Sequence, residues 1–498
     1  MTETSMAEEI PALAHADADA DMGTDGGSDA DASVLPQAVS DRPRDPGPGA
    51  GTRSAAGPAG SGPHPAAGLD LDPRFDVGLA ASGLAPGPKP PNGAAAAGRA
   101  PASPVDRARK LLSRHPVVDG HNNLPWMLCG SGRRDPGRVD LAIGEPGLHT
   151  DLPRLRAGGV GAQFWAVHAS PRLQGDHALS TTLDQIDTVR GLVRAYSETL
   201  RLVHTADQIP EARNYGRIAA LLGVVGGHCI DNSLGTLRAL YALGVRYLAL
   251  THDRNTAWAD SAADKPAVGG LSPFGEEVVC EMNRLGMLVD LSQSAPCTMR
   301  HVFEISKAPV IFSHSAVRVR CDHPANVPDD VLQMLPRNGG VCMVTFAPQY
   351  VSQAVADWLR GAQEALRKRG DDGDRSGGGP ALADYAAAHP CPVATVGDVA
   401  DHIEHVRDVA GLDHVALGGD FDGTAQHPAG LEDVSCYPVL LAELLERGWS
   451  EADTAKLTWH NPIRVLRGAE FTARSAQRRR VPSTATIERL DGAGPAPD

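Results

Sequence analysis

What this 498-residue chain is short of removes several classes of protein at once. Its eight cysteines (Cys129, Cys229, Cys280, Cys297, Cys321, Cys342, Cys391 and Cys436) contain no Cys-x-x-Cys pair, so neither a zinc ribbon nor a disulfide framework is expected. Most are read as small buried apolar residues. No run of about eighteen or more apolar residues occurs, so no membrane-spanning helix is expected. Positive charge is in deficit: 46 Lys and Arg face 61 Asp and Glu, a formal net charge of -15. Phosphate affinity needs a basic face, so a general nucleic-acid binder is excluded. The start, residues 1–9, is acidic and lacks the basic and apolar stretches of a secretory signal. A cytoplasmic protein without a membrane partner is the expectation.

What is present points to one large α/β unit. Hydrophobic residues make up 42% of the chain, enough for a sizeable core, while 54 Gly and 39 Pro are spread unevenly. Residues 1–103 are rich in Ala, Gly, Pro, Asp and Ser, have almost no aromatics, and show no sustained hydrophobic period. Such a segment cannot bury enough apolar surface to offset its chain entropy, and it is predicted to be a disordered extension. From Pro104 the pattern changes, with residues 105–112 predicted as a short amphipathic helix.

Short apolar runs then recur at residues 117–118, 159–167, 218–225, 245–252, 287–292, 309–314, 340–346 and 414–420. Continuous apolar strands alternating with helical patterns imply a parallel sheet covered on its faces. Residues 233–243 and 298–306 are two of the helices, each with an apolar stripe. Eight strand-helix units predict a (β/α)8 barrel over residues 104–471. An open doubly wound sheet is the alternative. It is disfavoured because no glycine-rich nucleotide loop follows a strand, and because polar residues gather at most strand ends rather than at one switch point. Residues 370–379 read as a flexible loop between the seventh and eighth strands. Residues 472–498, with Arg478, Arg479 and Arg480, read as a frayed tail.

In such a barrel the C-terminal strand ends form the working face. They deliver His121 and Asn123, then His168, His228, His252, Asp290 and Gln293, His314, and finally Asp420 and Asp422. One strand-end His is ordinarily a hydrogen-bonded structural residue. Several His and Asp converging on one mouth are the ligand types of a hydrolytic zinc centre.

The chain also resembles the membrane dipeptidases, zinc metallopeptidases on an amidohydrolase-like (β/α)8 barrel. The resemblance rests on Val118-Asp119-Gly120-His121-Asn122, Gln163-Phe164-Trp165, Gly226-Gly227-His228, Leu250-Thr251-His252, Phe312-Ser313-His314-Ser315, Asn326-Val327-Pro328-Asp329-Asp330 and Gly418-Gly419-Asp420-Phe421-Asp422-Gly423. It implies two zinc ions joined by a bridging Glu and a bridging water. Carried over by position, the first ion falls to His121, residue 123, residue 225 and Asp420. The second falls to residue 225, residue 293 and His314. His252 matches the residue that polarises the scissile carbonyl, and Asp420 is also a candidate proton shuttle.

The sequence keeps His121, His314 and Asp420, but it has Asn123 where the family has Asp, Gln293 where it has His, and Val225 where it has the bridging Glu. An amide oxygen is a poor zinc donor, and an isopropyl group has no lone pair at all. Ala325 stands where the family has an Arg for the substrate carboxylate; Arg318, Arg320 and His323 are candidate substitutes. Three readings follow. One is a family member with an eroded two-zinc centre, impaired, inactive or altered in reaction, holding no zinc or at most one weakly bound ion. Another is a working metallodipeptidase. The third is a one-metal hydrolase using His121, His314 and Asp420, with His228 or His252. A small peptide-like substrate is expected if the protein is active, and the resemblance allows a homodimer.

Overall fold

The computed structural model describes residues 103–130, 139–368 and 385–492. The expected disordered extension before residue 103 and the loop at 370–379 lie outside the described residues. Among the described residues nine strands form one sheet: β1 (Val117–Asn122), β2 (Val160–His168), β3 (Leu200–Leu202), β4 (Ile218–Val225), β5 (Val245–Ala249), β6 (Leu288–Asp290), β7 (Ile311–Ser315), β8 (Val341–Val344) and β9 (Val415–Leu417). Every pairing is parallel, and the order runs β2-β1-β9-β8-β7-β6-β5-β4. A further ladder between β2 and β4 closes this row on itself. The result is the eight-stranded parallel α/β barrel that the alternation of apolar runs predicted.

The ninth strand was not foreseen. Three residues long, β3 pairs with the first part of β4, while β5 pairs with its last part. So short a run does not stand out from its surroundings in sequence. It is an annex to the barrel rather than a stave, which is why β2 ladders with β4 directly.

Every residue of the eight staves is buried. Along β4 the side chains divide by alternation, because successive Cβ atoms leave a strand on opposite faces. Ala219, Leu221 and Val225 join an inner cluster with Phe164, Tyr247 and Met343. Ala220, Leu222 and Val224 face the surrounding helices. Trp459 and Ile463 belong to the inner cluster and plug the barrel near Gly161, at the N-terminal ends of the strands. The opposite end is left for the site.

The helices follow local signals. Leu234–Leu243 starts at Ser233, whose hydroxyl accepts the Thr236 N–H at 3.1 Å, and ends at Gly244 with φ 113°. That left-handed geometry suits a residue with no Cβ. Pro296–Ile305 starts two residues earlier than expected because Pro296 supplies a pre-set φ at the first turn.

The C-terminal boundary needs correction. The helix Asn461–Arg479 does not fray at Phe471: Ile463, Val465, Leu466, Ala469 and Ala473 form a buried stripe that carries it on past residue 472. The arginine run reads as solvated only because that stripe lies behind it. Beyond the helix, Arg480 pairs with Glu277, and the Ser483 carbonyl accepts from Arg238 Nη1 at 3.0 Å. Asp491 then accepts the Phe274 N–H at 2.9 Å and the Ser272 hydroxyl at 2.6 Å, at the start of the helix Pro273–Leu285. A carboxylate there meets unpaired N–H groups and the positive end of the helix dipole. The folded unit therefore extends to residue 491.

Arg238 also binds Glu281 at 3.0 Å, and Arg284 holds the same carboxylate through two bonds of 2.8 Å. Glu281 is fully buried, so its charge depends on these partners. Glu281→Ala should lower unfolding stability by about 3 kcal/mol, read as a lower urea midpoint with little change in slope.

Candidate functional site at the barrel mouth

The site starts on β1, where Asp119 ties three strands together. Its carboxylate accepts the Gly419 N–H at 2.8 Å, the His121 N–H at 3.3 Å and the Gln163 amide at 2.9 Å. Burial pushes Asp119 up to about 6 against these bonds. Two residues on, His121 shares a hydrogen bond of 3.1 Å between Nδ1 and the Tyr247 hydroxyl of β5. Burial, then the neighbouring His314 and His168 rings, hold His121 well below its ordinary value, so it is neutral.

Asp420 lies just past β9 with φ 58°, its N–H donating to the His121 carbonyl at 3.1 Å. That left-handed backbone is uncommon outside glycine and re-aims the carboxylate into the mouth. Asp420 Oδ1 stands 3.6 Å from His121 Nε2 and accepts the Asn123 amide at 2.7 Å. Burial pushes Asp420 up to about 7, with the Asn123 hydrogen bond opposing it.

Gln293, past β6, has φ 63° and sets its Nε2 3.1 Å from His314 Nε2. The proton positions follow from the far side of that imidazole. Ser313 donates its hydroxyl to Asp290 at 2.5 Å, so its oxygen accepts from His314 Nδ1 at 2.8 Å. His314 Nε2 then carries the lone pair, and the Gln293 amide donates to it. Asp290, placed among the strand-end candidates, sits beneath the mouth and works through this chain; burial pushes it up.

Val225 ends β4 with its isopropyl group on the pocket wall. His168 ends β2 and stacks on Trp126, with centroids 4.3 Å apart, while the His252 ring lies 5.7 Å beyond it and nearly parallel. His252 Nδ1 is 3.0 Å from Asp253. Gln349 and Tyr350 complete the wall from the turn Pro348–Val351. The space they enclose is open to solvent and small, with about 20 Å³ of room.

The fold thus gathers His121, Asn123, His168, Val225, His252, Gln293, His314 and Asp420 at one mouth. His228 is not among them: its ring turns to the Ala169 carbonyl at 3.2 Å and to Cys229. Asp422 is spent on the His149 N–H at 2.7 Å. The candidate substitutes for the missing arginine also stay out. Arg318 donates to the Pro324 carbonyl, Arg320 pairs with Asp401 at 3.6 Å, and His323 packs edge-on against Tyr350 behind the wall. Ala325 is buried beside them, its N–H 3.2 Å from His323 Nδ1. Among the described residues no group of three or more His, Cys, Asp or Glu side chains is arranged to hold a metal ion.

Sequence reading missed Tyr247, Gln349 and Tyr350. Tyr247 had a signal, since it lies on the inward phase of β5, but the other two are set by a turn with no motif.

A membrane dipeptidase (peptidase family M19) model matches residues 105–480. The chain belongs to this family. Dipeptidase 3 of Macaca fascicularis is 42% identical over 369 residues, which cover 73% of this chain and 67% of that protein. Dipeptidase verJ of Clonostachys rogersoniana is 41% identical over 377 residues, covering 74% and 87%. Among solved structures, the probable dipeptidase PvdM from Pseudomonas aeruginosa superposes with a TM-score of 0.64 at 25% identity, over 74% of this chain and 99% of its own. The match makes this chain a member of a zinc metallopeptidase family of dipeptidases, with that family's barrel.

The turn carrying Gln349 and Tyr350 hangs on two buried side chains. Asn326 donates to the Tyr350 carbonyl at 2.8 Å. His402 accepts the Val317 N–H on Nδ1 at 3.0 Å and donates from Nε2 to the Val351 carbonyl at 3.1 Å. Burial lowers His402 from 6.5 to about 4, so in that interval the unfolded chain takes up the proton and the folded one does not. This contribution is complete above pH 6.5 and is lost as pH falls toward about 4, up to about 3 kcal/mol. His402→Gln should show a flatter fall in urea midpoint across that window, measured by denaturation at stepped pH.

Proposed function

We propose that this chain is a membrane-dipeptidase-family protein whose two-zinc centre is eroded, leaving a small-molecule pocket that does not carry out the family's two-metal peptide hydrolysis. One observation carries the reading: the Asn123 amide donates to Asp420 at 2.7 Å, occupying an oxygen that by family position faces the first ion. The Gln293 amide stands in the same relation to His314, at 3.1 Å. Each amide supplies a hydrogen where a cation would accept a lone pair, so the retained ligands are satisfied within the protein. Val225, at the bridging position, offers nothing to either ion. This donor set does not fit a zinc pair.

The residues that remain keep roles of their own. His252, oriented by Asp253, lines the pocket. His121 is held by Tyr247, and His168, backed by Trp126, stands with His252 on one side of the space. These groups bind and orient; they lack the paired Lewis acids that in the family activate water.

The test is metal analysis of the purified chain with a panel of dipeptides, assayed with and without added zinc. Well under one zinc per chain and no turnover above background are expected; two zinc ions with chelator-sensitive hydrolysis would overturn the reading. Asn123→Asp alone should lower the thermal midpoint, because two carboxylates then face each other without a cation. Asn123→Asp, Val225→Glu and Gln293→His together should raise zinc content toward two and make the midpoint zinc-dependent.

A further inference from the structure

The outer face of the helix Asn461–Arg479 is cationic in a chain whose net charge is -15. Leu466, Ala469 and Ala473 are buried against the barrel, so Arg467, Phe471, Arg474 and Arg478, at spacings of four, three and four residues, line the opposite side. Phe471 is 67% exposed, and the Arg474 guanidinium lies 5.7 Å from its ring centroid. Lys307 flanks this row, its carbonyl 3.5 Å from the Thr472 hydroxyl. The neighbouring carboxylates are committed: Asp207 pairs with Arg467 at 2.7 Å, Glu277 with Arg480, and Glu470 accepts the Ala206 N–H at 2.7 Å. Among the described residues no ion pair neutralises Arg474, Arg478, Arg479 or Lys307.

A row of unpaired cations around an exposed phenyl ring fits a polypeptide segment that carries carboxylates around apolar side chains. A phosphate group would satisfy the arginines but leave the ring in water. The chain itself contains such a segment. Residues 1–19 hold Glu3, Glu8, Glu9, Asp17 and Asp19 and neither Lys nor Arg, with Ile10 and Leu13 between the carboxylates. Residues 20–102 separate it from the barrel, and at about 3.3 Å per residue they are long enough to reach any face. The tether makes the encounter intramolecular, so surface ion pairs that are individually weak suffice. We propose that residues 1–19 dock along the Arg467 to Arg478 face of this helix, with Ile10 and Leu13 against Phe471 and their carboxylates on the arginines and Lys307.

Carbodiimide crosslinking of the full chain tests it, because this reagent joins a lysine to a carboxylate only where the two touch. At low protein concentration, mass spectrometry should find Lys307 linked to a carboxylate of residues 1–19. Arg474→Glu with Arg478→Glu should cut that yield about tenfold, and Phe471→Ala about threefold. Salt at about 1 M, which screens charges beyond about 3 Å, should act like the double change. Arg474→Gln with Arg478→Gln, which removes the charges without reversing them, should give an intermediate yield. Arg367→Glu, in the last turn of the helix Gln353–Lys368, should leave the yield unchanged. Crosslinking a mixture of isotopically labelled and unlabelled chains separates a segment of the same chain from one supplied by a second copy. No Lys307 link to residues 1–19, a yield indifferent to the arginine changes, an equal fall with Arg367→Glu, or links distributed at random between labelled and unlabelled chains would overturn the proposal.

Discussion

The ladder between β2 and β4 is the constraint on which the rest of the molecule depends. Seven consecutive pairs, from Ala162 with Ala219 to His168 with Val225, join strands that are not neighbours in the order of the chain and turn an open row into a closed barrel. Closure removes both sheet edges and forces all eight strand ends onto one rim. It also sets His168 opposite Val225, so an imidazole and an isopropyl group meet on the same wall. With the sheet open, the same side chains would be strung along an edge and enclose nothing.

Within that rim the polar groups satisfy one another. Asp119 anchors β1 to β2 and β9, Tyr247 reaches from β5 to His121, and Asp290 acts through Ser313 on His314. The two amides complete the arrangement at Asp420 and His314. Buried polar atoms without partners are costly, and a pocket lined by carboxylate and imidazole must direct them at something. Gln293 and Asp420 both have left-handed backbones, which aim their side chains into the mouth.

Much of this was legible in the sequence because it depends on local pattern. Apolar runs alternating with helical stripes are a consequence of a parallel sheet covered on both faces, and they announced the barrel. The strand-end residues His121, His252, His314 and Asp420 were legible because a strand that runs into a polar cluster must end at a rim. The docked segment after Phe471 was not legible. Its arginines read as solvent-facing, and the partners that hold it come from distant parts of the chain, on the helix Leu234–Leu243 and at the start of the helix Pro273–Leu285. The short β3 strand was hidden for a similar reason, since a three-residue strand is defined by its neighbour rather than by its own composition.

By itself the sequence determined the fold class and the family, since each depends on residue type and order along the chain. Tertiary structure decided which candidates share a pocket. It drew in His168, Gln349 and Tyr350, turned His228 and Asp422 to other partners, and kept Arg318 and Arg320 out. It also decided that Asn123 meets Asp420 and Gln293 meets His314. Those contacts join residues carried by different strand ends, and spacing along a chain holds no record of where side chains converge once a sheet has closed.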